Sequence, residues 1–303
     1  MNIKKSWFSG LVFFFIIIFF YKTSNQNQLI EIIKNIKIEY LLFTLLLVLI
    51  RSFLINYRWF VLVKNFSKIS FGDFYKNLNN ANTLYFITSA SIAVELVRLF
   101  KLKNEIGVKK SLFLVSLDKI YSLIFKIFFL VFILNFYIYI FKTNLFMSGA
   151  ILSLFFVFAS LVVIKNTNKI LIYLSKLNFL KVNFDIIIQL NQTASKSKLK
   201  IYFINFLIQI LNIFMYFVIF KSLNINLNLI QLSLFVPMIE FMGQVPFFGL
   251  KEISMIYLFQ NMNLTQEVVF TAALLNLICE SFIIMSIHIF FYLADYSKNI
   301  KID

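Results

Sequence analysis

Residues 145–164 read LFMSGAILSLFFVFASLVVI, twenty positions without one charged side chain. At 1.5 Å of rise per residue, a helix of that length crosses the ~30 Å hydrocarbon core of a bilayer. Water-soluble cores do not need such runs, and residues 11–21 and 268–279 hold shorter uncharged ones. The rest of the chain agrees. Its 303 residues are 61% hydrophobic and 14% charged, with a mean hydropathy of +0.87, against roughly 45–50% apolar in soluble domains. The expected solvent is therefore lipid.

A formal net charge of +16 would suggest nucleic acid for a soluble protein. Here the lysines cluster between apolar segments, where they set topology and meet anionic headgroups at the cytoplasmic face. Nucleic acid is not an expected partner. Three arginines against twenty-six lysines, with heavy use of Ile, Phe and Asn, indicate coding bias, so the 41 phenylalanines say little about ligands. Cys279 and His288 are the only residues of their kinds, which excludes an intramolecular disulfide and a Cys/His zinc cluster. No cofactor or metal is expected, and His288 reads as a packed polar side chain.

Lys4 and Lys5 before the apolar residues 7–21 imitate a signal peptide, but no small-x-small cleavage site follows, so a retained first span is expected. Six spans account for the long runs: about 7–21, 40–63, 112–141, 145–164, 201–220 and 268–293. Two further segments, Asn79–Phe100 and Ile230–Phe259, are apolar but interrupted by polar, charged or helix-breaking residues. Both read as re-entrant hairpins. The second holds both prolines, Pro237 and Pro246, and two of the six glycines, Gly243 and Gly249. An interior proline costs about 3 kcal/mol in a helix, and broken backbone at membrane depth persists only where protein or a wet cavity covers it.

With the N-terminus inside, the cytoplasmic stretches hold nineteen Lys and Arg and the outer ones six, as the positive-inside rule requires. Both termini are then cytoplasmic, in a multi-pass protein of the inner membrane. The hairpins open from opposite faces. Glu95 matches Glu252 at an offset of 157 residues, a faint inverted repeat with halves of about 40–141 and 201–293 inside one domain, 1–303. The fold class is thus an all-α polytopic membrane protein with about six transmembrane helices and two re-entrant hairpins in an inverted repeat. Secondary transporters build midplane sites this way. The bland reading is two irregular hairpins left by a degenerate repeat, with no part in transport.

An ionisable side chain at the bilayer centre costs at least ~2.5–3.5 kcal/mol, so each one kept there needs a partner or a ligand. All three arginines, Arg51, Arg58 and Arg98, fall in membrane-embedded or re-entrant stretches. A guanidinium grips phosphate at two points where lysine offers one charge. The alternative is pairing with intramembrane carboxylates, and for Arg58, next to Trp59, snorkelling to the interface. Acidic candidates are Glu95, Asp118, Glu240, Glu252 and Glu280. Glu95 and Arg98 stand at i,i+3 and can pair, whereas Glu240 and Glu280 lack a cation nearby in sequence and would take Arg51 or Lys251. Lys119 and Gln244 complete the candidate substrate-binding set. No catalytic triad, phosphate-cradling glycine loop or metal motif is present. An enzyme is therefore not the first reading, although split carboxylates can do acid/base work.

The segments Arg58-Trp59, IAVELVRLF (Ile92–Phe100), Asp118-Lys119 and VPFFGLKE (Val245–Glu252) resemble, in this order and spacing, the flippase-like family named for the lysylphosphatidylglycerol synthase transmembrane region. The resemblance covers most of the chain. Ser89, Ala90 and Ala93 stand where the family commonly has proline and glycine, and the second hairpin is shorter. No soluble aminoacyl-transferase domain follows the last span, so lipid aminoacylation is not implied. The resemblance implies a protein that moves a phospholipid or lipid-linked headgroup between leaflets. Other readings are a membrane-embedded lipid-modifying transferase and an accessory subunit of an envelope lipid or glycan pathway. The expected partner is a membrane lipid, and an oligomer is possible.

Overall fold

The computed structural model describes residues 25–76, 78, 102, 106–141, 197–243, 250–260 and 264–300. Among them every element is helical: α1 Gln26–Lys34, α2 Ile38–Val63, α3 Val108–Phe141, α4 Lys198–Ser222, α5 Leu229–Met242, α6 Leu250–Gln260 and α7 Gln266–Ile300. A short helical stretch covers 71–76. Among the described residues, three helices are long and apolar enough to cross a membrane, α2, α4 and residues Gln266–Ala294 of α7. They correspond to the expected spans 40–63, 201–220 and 268–293. The expected span 112–141 lies within the 34-residue α3. The expected spans 7–21 and 145–164 and the first hairpin, 79–100, lie outside the described residues.

The chain groups into two compact units, one of residues 1–56, 70–98 and 209–303, the other of 57–69 and 99–208. In the first, α2 turns Leu42, Leu46, Leu49 and Phe53 outward while Thr44 and Asn56 are buried. In water that distribution would waste the hydrophobic effect, but in hydrocarbon the apolar stripe meets its own kind and the polar side chains seek one another. α7 shows the same with Ile278, Phe282, Met285 and Ile289 exposed and Asn276 buried. α1 is a capped surface helix: the Asn25 side chain accepts from the amides of Asn27 and Gln28 at 3.1 and 3.4 Å, as an N-cap should. Two bonds tie its far end to the end of α4, the Lys37 amide donating to the Ser222 carbonyl at 2.9 Å and the Asn224 side chain to the Asn35 carbonyl at 3.0 Å. Asn224 takes the left-handed conformation, φ 62°, which asparagine tolerates better than most residues.

The stretch expected as the second hairpin holds two short helices that pack on each other. With 14 and 11 residues, α5 and α6 are only about 21 and 16 Å long, so neither crosses a ~30 Å core alone. Proline was expected to break the first arm, but Pro237 lies buried inside α5 and the helix ends at Gly243. Gly243 also permits close approach, since a Cβ there would come within 3.3 Å of the Lys251 side chain. Phe259 of α6 then packs edge-on to Phe220 of α4 and Phe235 of α5, at 4.9 and 6.1 Å between ring centroids.

The second unit is built on Trp59, Leu62 and Val63 of α2, Leu114 of α3 and Ile201 of α4, all essentially inaccessible. Tyr202 packs against Tyr121 and Phe125 at 5.8 and 6.3 Å. Gly107 precedes α3 at φ +82°, a conformation that suits glycine, and its carbonyl accepts from the Ser111 hydroxyl at 2.8 Å.

Candidate functional site

Arg51 sits midway along α2, and Glu280 midway along the spanning part of α7. Their side chains meet: Arg51 Nη1 donates to Glu280 Oε1 at 2.8 Å. The second guanidinium nitrogen lies 3.7 Å from Glu240 Oε2 of α5, and Lys251 Nζ of α6 lies 3.0 Å from Glu240 Oε1. Glu240 and Glu280 thus take the two cations that sequence reasoning named. Two cations and two carboxylates cancel, which makes the group tolerable in a low-dielectric interior, where one unpaired charge would not be.

The hairpin's own chemistry closes it. Glu240 stands in the last turn of α5 and Lys251 at the start of α6, so their pair joins the two arms at their facing ends. Asn276, one turn before Glu280, donates to it at 3.2 Å. Tyr216 of α4 is fully buried and lies within electrostatic reach of all four charges. Neither Tyr216 nor Asn276 stood among the sequence candidates. Their signal was present: each is a polar residue within a run otherwise counted as apolar.

Arg51 is not saturated by its two carboxylates. Its Nε is buried without a hydrogen-bond partner, as are the Tyr216 hydroxyl and the Asn276 side-chain oxygen. Buried donors and acceptors are rarely left so. The cluster therefore keeps hydrogen-bonding capacity in hand, the donors on Arg51 and Tyr216 suiting an anionic oxygen.

Arg58 belongs to the other unit and behaves differently. Its Nη2 donates to Asp118 Oδ2 of α3 at 2.8 Å and its Nη1 to Asn205 Oδ1 of α4 at 2.7 Å. Both members of the ion pair are nine-tenths buried or more. Snorkelling, one of the expectations for Arg58, is thus corrected, because a carboxylate reaches the guanidinium inside the protein and the interface offers nothing better. Lys119 is half-buried on α3. Glu95, Arg98 and Gln244 lie outside the described residues, and so does the side chain of Glu252, whose backbone is in α6. The described residues therefore bring Arg51, Glu240, Lys251 and Glu280 together, and separately Arg58 with Asp118.

An apolar cleft of about 760 Å³ opens in the same unit as the Arg51 cluster, walled by Leu49, Phe53, Phe71, Ile283 and Phe290. Gly72 forms part of its wall, and nothing lies within 4 Å of where its Cβ would be. No group of three or more His, Cys, Asp or Glu side chains suited to a metal ion occurs among the described residues.

Apolar spans with a charge-balanced cluster inside define a multi-pass helical membrane protein. The chain belongs to the lysylphosphatidylglycerol synthase TM region family, whose model matches residues 6–287. No curated protein and no solved structure matches it.

Proposed function

We propose that the protein moves a phospholipid or lipid-linked headgroup between the leaflets of the inner membrane, with the Arg51 cluster as the point where the headgroup crosses. The supporting observation is the placement of Arg51 and Glu280 midway along two span-capable helices, joined through Glu240 to a hairpin too short to span. Intramembrane ionisable groups mark substrate paths by default, and discontinuous helices at mid-depth are a transporter device. An anionic headgroup would compete with Glu240 for Arg51 and Lys251, the Arg51–Glu240 contact being the looser one at 3.7 Å. The apolar cleft is of a size to take a lipid chain, within the ~300–1,000 Å³ of ordinary ligand sites. Arg98, Gln244 and the carboxylates Glu95 and Glu252 complete the path in this reading, as equivalent parts of an inverted repeat within one domain. Arg58, Asp118 and Lys119 lie on the supporting side.

Reconstitution separates this reading from the transferase. Proteoliposomes given a lipid labelled in one leaflet should show that lipid in the other leaflet at unchanged mass. A change of mass in the recovered lipid, with sidedness preserved, would make the protein an enzyme.

Re-entrance is tested by accessibility. In a Cys279→Ser background, cysteines at the exposed positions Asn226 and Thr265, which flank α5 and α6, should both react with an impermeant thiol reagent added to the outer face. Reaction from opposite faces would turn the hairpin into a full crossing and remove the inverted repeat.

A further inference from the structure

The apolar cleft of the first unit has three walls. One is α2 at Leu49, Ile50 and Phe53, one is α7 from Phe282 to Phe291, and the third is the helical stretch 71–76. That stretch carries its own cap: the Ser70 hydroxyl accepts from the Asp73 amide at 3.2 Å and donates to the Asp73 carboxylate at 2.6 Å, which fixes where the helix starts. Phe74 and Leu78 are buried on one side of it. Phe71 and Tyr75, one turn apart on the other, meet Phe53 at 5.4 and 6.2 Å between ring centroids, and Tyr75 meets Phe291 at 5.9 Å. All of these residues belong to one compact unit.

The cleft opens into hydrocarbon. Leu49, Ile50, Phe53, Phe282 and Phe290 of its walls are 40–67% exposed, and all five lie in span-capable helices. It begins near the level of Arg51 and Glu280, midway along those helices, and runs along α7 to Phe291, three residues short of the span's end at Ala294. From Phe282 to Phe291 the helix rises about 14 Å, close to half of a ~30 Å core, so the cleft covers one leaflet. Its walls are almost wholly apolar, and an apolar cavity does not hold water. A void left there would forfeit the dispersion contacts of every lining atom, and what the bilayer offers to fill it is a lipid chain. We infer that the cleft seats one acyl chain of a phospholipid of that leaflet, entered sideways from the bilayer, and that the lipid waits there before its headgroup reaches the Arg51 cluster. On the lysine balance of the sequence the leaflet is the cytoplasmic one. The inference rests on the transport reading and deepens it: the substrate is selected by its chain as well as its charge. Gly72 leaves room for that chain, because no atom lies within 4 Å of where its Cβ would stand.

A phospholipid with a photoactivatable diazirine near the end of one acyl chain, mixed into proteoliposomes, tests the seat without any need for transport. After irradiation and digestion, label on Phe53, Tyr75 and Phe290 should exceed that on Phe214 and Ile278, which are also exposed but lie outside the cleft. Gly72→Leu puts a side chain where the lipid chain would lie, so label in the cleft should fall by about tenfold or more. Its unfolding midpoint should stay or rise, since leucine is the better helix former. Ser286→Leu fills the same cleft from the α7 wall and should act alike, so the result does not hang on the folding of one variant. Even labelling inside and outside the cleft, or label unchanged in both variants, would overturn the inference. So would a dimer in nanodiscs whose second copy shields Phe53 and Phe290 from the lipid. Lipid movement should fall along with the label, and movement at the wild-type rate through an emptied cleft would remove the waiting role. Label in the cleft of wild-type vesicles that move no lipid would leave the chain seat standing and end the transport reading.

Discussion

Arg51→Gln is expected to lower transport and stability together, by more than any other single change in the cluster. The substitution leaves Glu240 and Glu280 with Lys251 alone, one uncompensated carboxylate at mid-depth. Breaking a buried ion pair by removing one partner costs about 3–5 kcal/mol, a sizeable part of a typical folding free energy. Arg51→Lys keeps the charge and should insert normally, yet lose about tenfold in lipid movement, because a single ammonium replaces the planar fork. The double variant Arg51→Gln/Glu280→Gln separates structure from function. It restores neutrality, so its unfolding midpoint should return most of the way to wild type, while transport stays low because the headgroup has lost its guanidinium. Recovery of both would reduce Arg51 to a structural partner of Glu280.

The second large effect falls on the Arg58 unit. Asp118→Asn should cost about 3–5 kcal/mol, seen as a steep drop in the unfolding midpoint in detergent, because a buried charge loses its counter-charge. The Arg58 guanidinium is then left with neutral acceptors alone, the Asn205 side chain among them. Replacing both partners by apolar residues of similar volume, Arg58→Met/Asp118→Leu, should be close to neutral for stability. Transport should survive in that double variant. Its loss at full stability would move Arg58 and Asp118 from supporting the fold to touching the lipid.

The membrane class and the three span-capable helices were legible because uncharged runs leave a helix few alternatives in lipid. The partners of Glu240 and Glu280 were legible too, since a carboxylate inside the bilayer needs a cation and the chain offers few. Arg58 was harder. Its neighbour Trp59 suggested the interface, and only three-dimensional packing brings Asp118, sixty residues on, within 2.8 Å. The position of the hairpin's break was also beyond sequence reasoning: proline is the stronger breaker by propensity, but Pro237 is accommodated in α5, and the helix ends at Gly243, where a Cβ would come within 3.3 Å of the Lys251 side chain. Tyr216 and Asn276 were hidden for another reason. Averaged over a window, a single Tyr or Asn barely lowers the hydropathy of a run so rich in Ile, Leu and Phe.

The central claim, that an anionic headgroup crosses the membrane through the Arg51 cluster, is tested most directly by rates of transbilayer movement in proteoliposomes. A fluorescent anionic phospholipid and its zwitterionic counterpart would be compared in the same vesicles with wild type and with Lys251→Gln. Wild type should move the anionic lipid faster, and Lys251→Gln, with Arg51 still held by Glu280, should lose most of that preference. Equal rates for the two lipids in wild type, or a preference untouched by the substitution, would contradict the account.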